Sequence, residues 1–296
     1  MPSTAALRAR ETGENFPVAL RILPRHHREA LHAVYAFART VDEAGDSWPG
    51  DRLARLGELD DAVIRTWSGR PMASTLRQGL DAAGSTGDRV VFERLARAGV
   101  PERVPEEWFH RLVEANIRDQ RVTRYPTYAA LLGYCRLSAD PIGRIVLYLF
   151  GEHAGTNPEL SDQVCTALQL LEHWQDVAED RRAGRIYLPR EDLARYAVGE
   201  DDLLGSGAAP ALAALMRFET DRAARLLAEG APLVGRLHGW ARLCVGGFVA
   251  GGEATVSALR RTGGDVLARP TAPSTRGTAA ALLRLLVTGR GRKAVA

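Results

Sequence analysis

With 296 residues, 46% of them hydrophobic and 25% charged, the chain can bury a substantial core, either as one large domain or as two ordinary ones. A net charge of +3, carried almost entirely by arginine with Lys293 the only lysine, and no basic patch with interleaved aromatics, argue against nucleic acid as a partner. Cys135, Cys165 and Cys244 lack metal-ligand spacing, the opening MPSTAALRARETGENFP lacks a signal-peptide core, and no run approaches the ~18 apolar residues of a membrane span. These features suit a cytoplasmic protein with reduced thiols, soluble or peripheral at the inner face of a membrane.

Ala, Leu and Arg dominate, and long segments carry a 3.6-residue period, so the fold class is all-α. The periodicity predicts helices over 26–45, 51–67, 87–98, 105–120, 127–136, 141–153, 158–181, 209–230 and 234–262. No Gly/Ser-rich linker interrupts the series, which favours a single domain over 1–270. After the break LARPTAPSTRG, residues 267–277, the run TAAALLRLLVTGRGRK makes 271–296 a short apolar helix with a basic end. Such a tail suits an anionic membrane surface or a last helix packed on the body.

Two acidic pairs share one spacing. Asp42 and Asp46 end LHAVYAFARTVDEAGD, residues 31–46, where Leu31, Val34, Tyr35, Ala38 and Val41 form the apolar stripe. Asp176 and Asp180 lie in VCTALQLLEHWQDVAEDRRAGRIYLP, residues 164–189, where Gln169, Glu172, Gln175 and Glu179 extend a polar ridge until Gly184 breaks the pattern. On a helix, i and i+4 lie one above the other, so each pair aims two carboxylates in one direction. A solitary pair is ordinarily a solvated helix face. Two pairs on otherwise apolar helices suit Mg2+ held jointly with the phosphate oxygens of a substrate.

These stretches resemble the squalene/phytoene synthase type of isoprenyl diphosphate synthase. ENFPVALRILPRHHREALHAVYAFARTVDEAGD (14–46), RYPTYAALLGYCRLSADPIGRIVLYLFG (124–151), LQLLEHWQDVAEDRRAGRIYLP (168–189) and GGEATVSALRRTGGDVLARP (251–270) carry the likeness in order. The resemblance implies an isoprenoid synthase helical bundle around a central cavity. YCRLSADPIGR, residues 134–144, with the ENFP opening and HWQDV, is similar to the hydroxysqualene synthase branch of hopanoid pathways. That branch implies presqualene diphosphate as substrate, hydroxysqualene as product and companion pathway enzymes on either side. Head-to-head condensation of farnesyl diphosphate is the alternative, with a non-enzymatic assembly or binding role behind it.

By the same resemblance, Mg2+ would be held by Asp42, Asp46, Asp176 and Asp180, with Glu172 standing where the family usually has asparagine. Glu43 replaces the second aspartate of the first motif and keeps its charge. Arg39, Arg136, Gln175, Arg185 and Tyr187 are candidates for contacts with substrate, and Arg39 has the alternative of an ion pair with Glu43 or Asp42. Phe16, Leu20, Tyr35, Leu137, Ile142, Ile145, Val146 and Leu168 are candidates for an apolar cavity around a carbocation, with Phe16 and Tyr35 offering aromatic faces. Asp140, Ser138 and Gln169 are the polar groups that would position a captured water. Asp140 suits helix capping ahead of Pro141 equally well.

Overall fold

The computed structural model describes residues 23–71, 86–268 and 274–289, so the candidates Phe16 and Leu20 lie outside the described residues. Two compact units emerge, one from Met1–Arg121 with Arg144–His153 and the other from Val122–Gly143 with Ala154–Ala296.

The first unit is built on α1 (Arg25–Asp46), α2 (Arg52–Trp67), α3 (Thr86–Arg97) and α4 (Glu107–Asp119). Helix α1 buries Leu31, Val34, Tyr35 and Val41 of the expected stripe and leaves Ala38 half-buried, while Phe37, outside that stripe, is fully buried. Phe37 meets Phe92 of α3 edge-on at 5.9 Å and Phe109 of α4 at 5.1 Å. Edge-to-face rings at such separations add to what area burial alone supplies. Trp67 packs on Phe109 and donates its indole N–H to the Val104 carbonyl at 2.7 Å, so the polar edge of this half-buried ring is satisfied. Asp51 starts α2 by accepting from the Ala54 amide at 3.0 Å.

The second unit holds α5 (Tyr128–Ser138), α7 (Asn157–Gln175), α8 (Val177–Arg182), α9 (Arg190–Arg195), α10 (Pro210–Gly230), α11 (Leu233–Arg236), α12 (Gly239–Arg261) and α13 (Thr275–Thr288). Helix α6 (Asp140–Phe150) begins in this unit and ends in the first. Helix α7 packs along α10, and its Leu170, Leu171 and Trp174 are buried to within 1% of full exclusion. Between α9 and α10 lies a buried polar group. The Arg222 guanidinium is 2.9 Å from Asp192 and 3.4 Å from Glu219, which is fully excluded from solvent, and it also covers the Tyr128 ring at 4.1 Å. Helix α13 lies on α12, where Arg284 pairs with Glu253 and Arg242 donates to the Leu286 carbonyl at 2.7 Å.

Two predicted helices are each divided. The helix expected over 158–181 breaks at Asp176, whose φ of −101° and ψ of 14° separate α7 from α8. The helix expected over 234–262 breaks where Leu237 and His238 turn extended and Gly239 takes a φ of 49°, a conformation that periodicity does not report. The six-residue α9 and a 3-10 turn at Glu200–Leu204 are too short to show a helical period. The three cysteines are free, and burial pushes their thiols up, Cys244 to about 12, which keeps them protonated and unreactive.

Candidate active site

The first acidic pair occupies the last two turns of α1. Asp42 is half-buried and Asp46 exposed, one helical turn apart. Helix α4 and its C-terminal cap brace this end of α1 with two side-chain amides at i and i+4. Asn116 donates from Nδ2 to Asp42 Oδ1 at 3.2 Å, and Gln120 donates from Nε2 to the Gly45 carbonyl at 3.0 Å. Position 45 must therefore lack a side chain, because a Cβ there would run into the Asn116 amide oxygen. Arg39 lies 3.9 Å from Glu43, so the ion pair weighed against its phosphate role is present, though long and partly open to solvent.

The second pair straddles the break between α7 and α8. The Asp176 amide still donates to the Glu172 carbonyl at 3.0 Å, and the Asp180 amide donates to the Asp176 carbonyl at 2.8 Å, so the i, i+4 relation survives the kink. The Asp176 side chain keeps solvent contact, yet surrounding protein displaces part of its hydration and raises its carboxyl pKa. Asp180 and Glu179 raise it further, and His173 opposes them. Crowded carboxylates of this kind hold protons more tightly until a cation takes their place.

Beyond the pair, Gly184 takes a φ of 86° and the Arg185 amide closes onto the Asp180 carbonyl at 2.8 Å, sending the chain back past 122–126. Ile186 donates to the Thr123 carbonyl at 3.0 Å, in a parallel bridge with Arg124. Arg124 fixes this return by donating to the Gly184 carbonyl at 2.7 Å and gripping both Glu200 oxygens at 2.8 Å. The return brings Tyr187 onto His173, with ring centroids 3.7 Å apart and planes within 11°. His173 is buried, with Nδ1 3.7 Å from Asp180 Oδ2 and Nε2 3.4 Å from the Gln169 amide nitrogen. Gln169 and Tyr187, expected to face water or substrate, thus also hold this imidazole.

Of the other candidates, Glu172 and Arg136 are exposed, while Gln175 and Arg185 are half-buried. Ser138 donates to the Tyr134 carbonyl at 3.4 Å. Asp140 is buried at the first residue of α6 and accepts from the Thr166 hydroxyl of α7 at 2.7 Å, so it ties two helices together. Tyr35, Ile145 and Val146 are buried, and Leu137, Ile142 and Leu168 half-buried. Among the described residues no three His, Cys, Asp or Glu side chains converge closely enough to form an ion site; Asp42 and Asp46 belong to the first unit, Asp176 and Asp180 to the second. Asn116, Gln120, Thr166 and His173 escaped the sequence reading. The polar i, i+4 spacing of Asn116 with Gln120, and of Gln169 with His173, was the available signal.

The squalene/phytoene synthase family model matches residues 9–278. A hydroxysqualene synthase of Rhodopseudomonas palustris is 34% identical over 243 residues, covering 80% of this chain and 76% of that protein. A phytoene synthase of Mycobacterium tuberculosis is 33% identical over 243 residues, covering 79% and 74%. The crystal structure of squalene synthase HpnC from Alicyclobacillus acidocaldarius superposes with a TM-score of 0.74 at 36% identity, covering 88% of this chain and 93% of that one.

Proposed function

This chain belongs to the squalene/phytoene synthase family, and from that premise we propose that it is a hydroxysqualene synthase converting presqualene diphosphate and water into hydroxysqualene and diphosphate. The observation that carries the reading is the i, i+4 placement of Asp176 and Asp180 across the α7–α8 break, held by the Asp180 amide on the Asp176 carbonyl at 2.8 Å. Lost hydration first, and then Asp180 and Glu179, raise the Asp176 carboxyl pKa, a crowding of charge that a bound cation would offset. The donors are all hard oxygens, which fits Mg2+. Asp42 and Asp46 in the first unit, and Glu172, Asp176 and Asp180 in the second, are the residues that would offer it oxygens, and when bound it would neutralise the charge gathering on the departing diphosphate.

The remaining roles fall to the protein. The C–O bond breaks heterolytically, diphosphate leaves with the electron pair, water adds to the resulting carbocation and a proton is lost, giving the alcohol. Arg39, Arg136, Gln175 and Arg185 supply donors for phosphate oxygens, and Tyr35 and Tyr187 supply aromatic surface. Asp140, which accepts from Thr166, with Ser138 two residues before α6 and Gln169 on α7, would direct the water. No described helix is long and apolar enough to cross a membrane. Exposed Leu283 and Val287 on α13, followed by Arg290, Arg292 and Lys293, are assigned to contact with an anionic lipid surface, where apolar substrate and the companion enzymes would be met.

The deciding experiment supplies pure protein with presqualene diphosphate or farnesyl diphosphate in 18O-labelled water, with Mg2+ and without nicotinamide cofactor. Labelled hydroxysqualene from presqualene diphosphate, abolished by chelator and restored by Mg2+, is expected. The 33% identity to a phytoene synthase gives the condensing alternative its weight, and efficient conversion of farnesyl diphosphate would establish it instead.

A further inference from the structure

We propose that His173 is a positioning residue for the second acidic motif, orienting the Asp180 carboxylate through a Gln169–His173–Asp180 chain. The inference rests on the reading of that motif as the cation and diphosphate site. A neutral imidazole has one donor and one acceptor nitrogen, and the partners decide which is which. His173 Nε2 lies 3.4 Å from the Gln169 side-chain nitrogen, which can only donate. Nε2 is therefore the acceptor, and the ring N–H is on Nδ1, which faces Asp180 Oδ2 at 3.7 Å, a contact longer than a hydrogen bond. This assignment comes from partners, as tautomers generally do.

The ring itself is held. Tyr187 stacks on it at 3.7 Å and 11°, and only 7% of the residue remains exposed, so bulk water competes little for either nitrogen. The chain also crosses the break at Asp176. Gln169 and His173 stand one turn apart on α7, whereas Asp180 rides on α8, a helix of six residues that has little stability of its own. Contact with His173 ties the acid of the short helix to the long one. With Oδ2 turned toward the imidazole, Oδ1 is left for a ligand. Outer groups that orient a metal-binding carboxylate commonly matter ten- to hundredfold to affinity or activity.

Ring packing and the polar contact of Nδ1–H with Asp180 are separable by substitution, because asparagine places its Nδ2 near the imidazole Nδ1 and glutamine places its Nε2 near the imidazole Nε2. The measurement is the Mg2+ concentration giving half of the thermal upshift in saturating inorganic diphosphate, with turnover of presqualene diphosphate alongside. Thermal midpoints without ligand report any loss of fold. His173→Phe should raise the Mg2+ requirement and lower turnover by about ten- to hundredfold. His173→Gln should follow it, whereas His173→Asn should stay within a few-fold of the unmodified protein. A His173→Phe variant with an unchanged Mg2+ requirement overturns the proposal. So does His173→Asn failing as badly as His173→Phe while still folded, since the ring would then act through packing on Tyr187. An unmodified protein with no Mg2+–diphosphate upshift overturns the cation reading of the motif, and this proposal with it; a normal upshift with unaffected variants overturns this proposal alone.

Discussion

Position 45 is where the first motif is most sensitive to a single atom. The Asn116 amide that donates to Asp42 occupies the space a Cβ would need there. Gly45→Ala should therefore push the amide off the carboxylate, destabilising the fold by about 1–3 kcal/mol, as overpacking does, and lowering turnover. Adding Asn116→Ala should relieve the clash and recover thermal stability without recovering turnover. If the double variant recovers both, Asn116 does not orient Asp42. Glu219 makes a different test. Burial first, then Asp192, pushes its carboxyl up to about 8 despite the opposing Arg222 guanidinium. The folded chain thus keeps a proton that the unfolded chain, with an ordinary carboxyl near pH 4.5, has released. The stabilisation is whole below that lower value and is lost as pH rises to about 8. Glu219→Gln, a neutral isostere, should flatten the thermal midpoint across this window and exceed the unmodified protein above it. The acidic pairs were legible because each keeps an i, i+4 spacing in one short stretch; the braces were not, because Asn116 and Tyr187 reach Asp42 and His173 from 74 and 14 residues away.

At the scale of elements, the helical period located the main helices but said little about where they break. A helical period runs through 158–181 and 234–262 without a Pro at either break. The breaks are backbone events, at Asp176 and at Leu237–His238, and side-chain polarity is blind to them. The first break has consequences for the site. If the two carboxylates shared one rigid helix, their separation would be fixed by its pitch. Here the Asp176 backbone sits outside helical values, and the setting of Asp180 depends on what α8 touches: His173 on one side and, through Gly184 and Arg124, the returning chain on the other.

For the whole molecule, the all-α fold followed from composition and period, since a chain so rich in Ala and Leu has few β-branched runs to pair as strands. Division into two compact units did not follow, because the junctions at 121–122, 143–144 and 153–154 fall without any linker composition, the second of them inside α6. The outer face of α13 offers the remaining prediction. Leu283 and Val287, 67% and 76% exposed, stand one turn apart on a helix clamped from behind by Leu285 and the Arg284–Glu253 pair, so the helix cannot roll to hide them. The protein should sediment with phosphatidylglycerol vesicles and much less with phosphatidylcholine vesicles. Leu283→Ser with Val287→Ser should weaken that binding; a pair that leaves it unchanged removes α13 as the contact.

The same terminus carries the chain's lone lysine, four residues past the left-handed glycine that ends α13. In a protein whose other basic side chains are guanidinium and imidazole groups, an amine-reactive dye has only the N-terminal amine and Lys293 to choose between. A fluorophore on Lys293, distinguished from one on the N-terminal amine by peptide mapping, would follow docking of the terminus in real time without a single engineered residue.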